Sequence, residues 1–220
     1  MTGVQTCALP IDLKSVLAQL DGKVSVVGAS LGGITAMLAE GESDNGLFSA
    51  LVLVDVAPRV EQQGVMKIFA FMTAYPDGFD SLDQAADAIA AYLPHRERPQ
   101  DLSGLAKNLE LGEDGKYHWH WDPAFMTGSR RPGTIQNAER LSGAAEQLGL
   151  PTLLIRGKIS DLLSEEGAAD FLEAVPHAEY VNVAGAGHMV AGDSNDLFTE
   201  AVVGFLSRAV RDEAHGVDSG

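Results

Sequence analysis

The chain has 220 residues, 45% of them hydrophobic, and a formal net charge of −16. That length supports one core plus an insertion, and the negative balance argues against nucleic acid or an anionic membrane surface as a partner. No apolar run reaches membrane-spanning length and no secretory signal is visible, so the expected location is the cytoplasm.

Residues 1–11, MTGVQTCALPI, do not read as protein-coding sequence and resemble a translated sequencing adapter. A non-native leader is expected there, with the natural chain starting near Asp12 and its own N-terminus lost. The only cysteine, Cys7, falls in this leader and supports no disulfide, redox or metal role. Asp12 to Leu20 reads as the tail of a helix.

Val24, Val26 and Val27 predict a buried strand that stops at Gly28-Ala29-Ser30-Leu31-Gly32-Gly33. A helical apolar pattern then starts at once with Ile34, Met37 and Leu38. A serine between glycines at a strand-to-helix turn has the spacing of a nucleophile elbow: the turn is tight, small residues flank it, and the hydroxyl stands clear of the sheet. The N–H of Leu31 can then face a developing oxyanion. A dinucleotide fingerprint and a P-loop need other spacings, and this segment fits neither.

A second strand is predicted over Leu51–Val56, with Asp55 at its end. Residues 59–148 interrupt the strand–helix alternation and read as a cap. Val65, Ile68, Phe69 and Met72 recur at helical spacing. Ser81 to Leu93 is a second helix, N-capped by Ser81, and Leu102 to Leu109 is a third. The methionines and phenylalanines of this segment read as core rather than substrate contacts. After the Asp114-Gly115 turn, strict alternation puts Tyr117, Trp119 and Trp121 on one strand face, and His118 and His120 on the other. His-x-His suits zinc, but no further ligand cluster stands nearby and no metal is expected. Ile135 to Leu148 reads as a helix returning to the sheet.

Pro151–Arg156 predicts a third strand ended by Gly157, with Ser160-Asp161 in the loop that follows. A carboxylate there lies at the same sheet edge as the elbow. Asp161 is the first candidate for the acid that orients a histidine; capping of the next helix is its structural alternative, and Asp55 is its rival for the role. The strand Glu179–Val183 runs into a loop where Gly185 and Gly187 precede His188, the candidate general base. Asp193 to Val210 reads as the final helix, capped by Asp193 or Ser194. The tail from Asp212 to Gly220 is expected to be disordered.

GASLGG at 28–33, LVLVDVAP at 51–58, LLIRGKISDLLSEE at 153–166 and GAGHMVAGD at 185–193 resemble the α/β-hydrolase fold superfamily. More narrowly, the chain resembles serine-nucleophile, cap-bearing esterases and carbon–carbon bond hydrolases, over about residues 12–210. The serine argues against epoxide hydrolases and haloalkane dehalogenases of that fold, which use aspartate. The resemblance implies an α/β fold: the C-terminal half of the family sheet, about four parallel strands, with helices on both faces and a mainly helical cap. The partial core would be 12–58 and 149–211, with the cap at 59–148.

The implied activity is attack by Ser30 on an ester or ketone carbonyl, His188 acting as base, Asp161 orienting it and Leu31 N–H receiving the oxyanion. A small apolar substrate is the expected partner, with homo-oligomerisation of the parent left open. No cofactor or metal is implied. Carbon–carbon bond cleavage with the same triad, or non-catalytic ligand binding, stand as alternatives. Members of the superfamily carry further strands upstream, including a His-Gly segment that gives a second oxyanion donor, and nothing in this chain matches it. Loss of one donor costs roughly a hundredfold to a thousandfold in turnover. The elbow strand would also be left as a hydrophobic edge. The 220-residue chain is therefore expected to be an inactive, poorly soluble fragment of its parent.

Overall fold

The computed structural model describes residues 5–121 and 138–217, with side chains described over 10–121 and 138–211. The chain divides into two compact units, one formed by Met1–Val65 with Gly133–Gly220 and the other by Met66–Pro132.

The first unit is built on a four-stranded parallel sheet in the order β1-β2-β5-β6, comprising β1 (Val24–Ala29), β2 (Phe48–Val54), β5 (Thr152–Gly157) and β6 (Glu179–Val183). All four expected strands are present. The two central ones are mainly apolar because both their faces are covered. From β2, Leu51 and Leu53 pack with Leu154 against α2 (Leu31–Gly41), α6 (Ala138–Glu146) and α7 (Glu165–Ala174). The alternate residues Ala50, Val52 and Val54 pack with Leu153 and Ile155 against Phe205 and Ala209 of α9 (Asn195–Val217). Each fully buried Leu or Val contributes about 1.5–3 kcal/mol, so β2 and β5 carry much of the unit's stability. β1 is less well covered: Val27 is 44% exposed.

The first helix, α1 (Gln5–Leu17), begins inside the stretch expected as a leader and contains Pro10. Its Leu13 and Leu17 pack beside the α2 cluster. The helix α6 lies within the span read as cap, yet its Leu141, Ala144 and Ala145 belong to the sheet core; the expected start of that helix at Ile135 lies outside the described residues. A single turn, α8 (Val190–Asp193), precedes α9. Ser194 stands just before α9 in the N-cap position, its carbonyl accepting from Phe198 N at 3.0 Å. Helix α9 continues to Val217, so residues 212–217 are helical where a disordered tail was expected, while 218–220 lie outside the described residues.

The second unit holds most of α3 (Gln62–Thr73), α4 (Leu82–Tyr92), the single turn α5 (Ser103–Ala106), and the hairpin of β3 (Leu109–Leu111) and β4 (Tyr117–Trp119). Ser81 N-caps α4, accepting from Gln84 N at 3.1 Å. The predicted helix over Leu102–Leu109 is confined to α5. Leu109 instead pairs with Trp119 across the hairpin and is buried with Phe79 and Ala85; helix-weak Gly104 and Asn108 offer little resistance to that pairing. Trp119 meets Phe79 edge-on at 5.5 Å, and Phe71 stacks on Tyr92 at 4.3 Å. Of the aromatic face read from the alternation, Tyr117 and Trp119 pack within this unit.

Candidate active site

The C-terminal ends of the four parallel strands lie along one edge of the sheet, and each delivers a piece of the site. The end of β1 delivers Ser30. Its φ of 49° with ψ of −120° is a conformation that non-glycine residues rarely adopt. The turn closes because Gly28 and Gly33 touch: a Cβ on Gly28 would lie 2.7 Å from the Cα of Gly33, and one on Gly33 would lie 2.6 Å from Val56 Cγ1. A Cβ on Gly32 would meet nothing within 4 Å. The steric demand therefore falls on positions 28 and 33, not on both glycines of the G-x-S-x-G pattern. Leu31 is the first residue of α2, where backbone N–H groups have no intrahelical acceptor. The positive end of the helix dipole favours anionic charge there.

The end of β2 delivers Asp55. Ser30 N donates to Val54 O at 3.2 Å, which seats the elbow one residue from Asp55. Asp55 also has positive φ, 51°, and no exposed surface. A buried carboxylate is tolerated only with partners, and Asp55 has three. Its Oδ1 accepts from Gly157 N at 3.0 Å. Its Oδ2 accepts from Ser160 Oγ at 2.5 Å and pairs with His188 Nδ1 at 2.8 Å. With Nδ1–H donating to the carboxylate, the neutral ring presents Nε2 as an acceptor, the form required of a general base.

The loop bearing His188 is fastened to the loop after β5. Lys158 N donates to Val183 O and Ile159 N to Ala186 O, both at 2.9 Å. Gly187 N donates to Asp193 Oδ2 at 2.8 Å. A Cβ on Gly157 would lie 2.1 Å from Gly187 O, so glycine is required where the two loops cross. His188 has a side chain only 10% exposed. Among the described residues, Ser30 Oγ makes no hydrogen bond to His188; such contacts are often long before substrate binds.

The carboxylate on His188 therefore comes from Asp55, where the sequence put Asp161 first. Asp161 is exposed, and its carbonyl packs against Gly64, where a Cβ would lie 2.2 Å away. The turn after Gly157, closed by Ser160 N donating to Gly157 O at 2.9 Å, aims Ser160 rather than Asp161 at the buried carboxylate. A signal for Asp55 was present in the sequence. It is the one charged residue in the apolar run Leu51–Pro58, whereas Asp161 follows Ser160 in a mixed polar and apolar loop. His118, from the His-x-His pattern, hydrogen-bonds Asp114 Oδ2 at 3.0 Å. Among the described residues, no group of three or more His, Cys, Asp or Glu is placed to hold a metal ion, and no helix is long and apolar enough to cross a membrane.

Residues 4–201 match the profile of the alpha/beta hydrolase family. A curated relative, the 3-hydroxybutyrate-oligomer hydrolase of Cupriavidus necator, is 27% identical over 188 residues, which cover 80% of this chain and 63% of that protein. The chain thus spans less than two thirds of that relative's length. Among solved structures, an esterase from Mycobacterium tuberculosis is 28% identical with a TM-score of 0.72, covering 94% of this chain and 69% of that one. The fold is also shared with E-2-(acetamidomethylene)succinate hydrolase, at a TM-score of 0.80 and 21% identity, covering 93% of this chain and 75% of that chain.

Proposed function

Because this chain belongs to the alpha/beta hydrolase family, we propose that it is a serine hydrolase cleaving an ester or similar carbonyl bond of a small apolar substrate, with Ser30 as nucleophile, His188 as general base and Asp55 as the orienting carboxylate. The observation that carries this reading is the 2.8 Å contact between His188 Nδ1 and Asp55 Oδ2, one residue along the chain from the strand end that seats Ser30. In the proposed sequence, His188 Nε2 takes the Ser30 hydroxyl proton as Oγ attacks the carbonyl carbon. The tetrahedral oxyanion forms against Leu31 N–H. Collapse expels the alcohol, which takes the proton from His188. Water then attacks the acyl-enzyme with His188 again as base, releasing acid and free Ser30. Asp55 stays ionised throughout and stabilises the imidazolium.

The esterase and oligomer-hydrolase names of the relatives support a carbonyl substrate. A cytoplasmic place of action belongs to the same proposal. The test is hydrolysis of a short-chain 4-nitrophenyl ester: Ser30→Ala should lower kcat by about a thousandfold or more with little change in fold. Full activity in Ser30→Ala would refute the assignment.

A further inference from the structure

We propose that Ser160 is a positioning residue for the His188–Asp55 pair. This rests on the triad reading just given. Ser160 Oγ lies 2.5 Å from Asp55 Oδ2, the same oxygen that pairs with His188 Nδ1. The hydroxyl is not free to rotate. Leu162 N donates to Oγ at 3.1 Å and Leu163 N at 3.3 Å, so both acceptor positions of the oxygen are filled. Its one proton is left aimed at the carboxylate, in a charge-assisted bond of the short class.

The geometry fixes the plane of Asp55 from two sides. Gly157 N holds Oδ1 at 3.0 Å, and Ser160 holds Oδ2. His188 then meets a carboxylate oxygen whose direction is set before the imidazole becomes charged. Such preorganisation is worth most when charge develops in the transition state, so its removal acts on kcat more than on KM. Besides His188, the donors to Asp55 are Gly157, at the end of β5, and Ser160, in the loop that follows. That loop also holds the histidine loop through Lys158 and Ile159. Ser160 therefore joins the acid, the base and their support in one hydrogen-bonded unit.

A purely structural role is the competing account: Ser160 would only satisfy the N–H groups of Leu162 and Leu163 in the turn. Two readouts separate the accounts in the full chain. The first is the Nδ1–H proton resonance of His188 in 15N-histidine-labelled protein, identified by its loss in His188→Gln. Ser160→Ala should displace this resonance or lose it to exchange, and Ser160→Thr should restore it. The second is kcat per Ser30 titrated with a fluorophosphonate. Ser160→Ala should lower it about tenfold at unchanged KM, equivalent to about 1.4 kcal/mol, with rescue by Ser160→Thr.

If Ser160→Ala does not fold, Ser160→Cys, which keeps only a weak donor, is compared with Ser160→Thr in the same way. A wild-type resonance and wild-type kcat in the folded variant would overturn the inference, whatever its melting temperature. Because the resonance does not depend on turnover, failure of this inference is distinct from failure of the triad reading, which shows as activity retained in Ser30→Ala.

Discussion

Asp55 and Ser30 are the two non-glycine residues with positive φ among the described residues, and both stand at strand ends on the same sheet edge. Backbone in such conformations costs on the order of 1–3 kcal/mol per residue and persists only where the surroundings enforce it. Here the enforcement is visible: Gly28 and Gly33 close the elbow, and Asp55 N is held by Ile155 O at 2.7 Å. The turns that carry Ser30 and His188 were legible in the sequence because glycines mark them. The choice between Asp55 and Asp161 was not legible from chain order, since both carboxylates follow parallel strands at the same edge. It turns on burial: Asp55 has lost all its water and has to recover hydrogen bonds from protein, while Asp161 is exposed.

At the scale of elements, the elbow glycines give opposite expectations for the same substitution. Gly28→Ala drives a methyl group into the backbone of Gly33 and should cost about 1–3 kcal/mol in urea unfolding. Gly32→Ala enters open space at the start of α2 and should be neutral or stabilising by up to about 1 kcal/mol. Equal losses from the two would contradict the packing described. Glu42, just after α2, is joined to Arg140 of α6, with Arg140 Nη2 to Glu42 Oε2 at 2.7 Å. The hydrogen bond from Arg140 holds the Glu42 carboxyl below its ordinary value of 4.5. A lowered folded-state value means that the pair stabilises above that ordinary value and loses its effect as pH falls through the folded one. Arg140→Ala should therefore cost under about 1 kcal/mol at neutral pH, and the difference from wild type should shrink on acidification. A gap that widens in acid would exclude this role.

The predicted helices over Val65–Met72 and Ser81–Leu93 were readable from periodicity and an N-cap. The one over Leu102–Leu109 failed because hairpin pairing with Trp119 decides the fate of Leu109, and no local pattern reports a partner ten residues away.

For the whole molecule, the parallel sheet with helices on both faces follows from apolar strands separated by amphipathic helices, and the sequence predicted all four strands. Among the described residues, strand β1 borders β2 on one side only, and Val27 is 44% exposed. An exposed apolar edge templates pairing between chains. Self-association is thus expected of the wild type, and Val27→Lys should reduce it in light scattering; unchanged scattering would argue that the edge is not the contact.

In the proposed mechanism His188, held by Asp55, activates Ser30. Its most direct test is labelling by a fluorophosphonate probe, with the modified residue located by mass spectrometry. The expected result is modification at Ser30 in wild type and in Asp161→Asn, and its loss or a severe slowing in Asp55→Asn and His188→Ala. An unlabelled Ser30 in the wild type, or labelling that survives Asp55→Asn and disappears in Asp161→Asn, would contradict it.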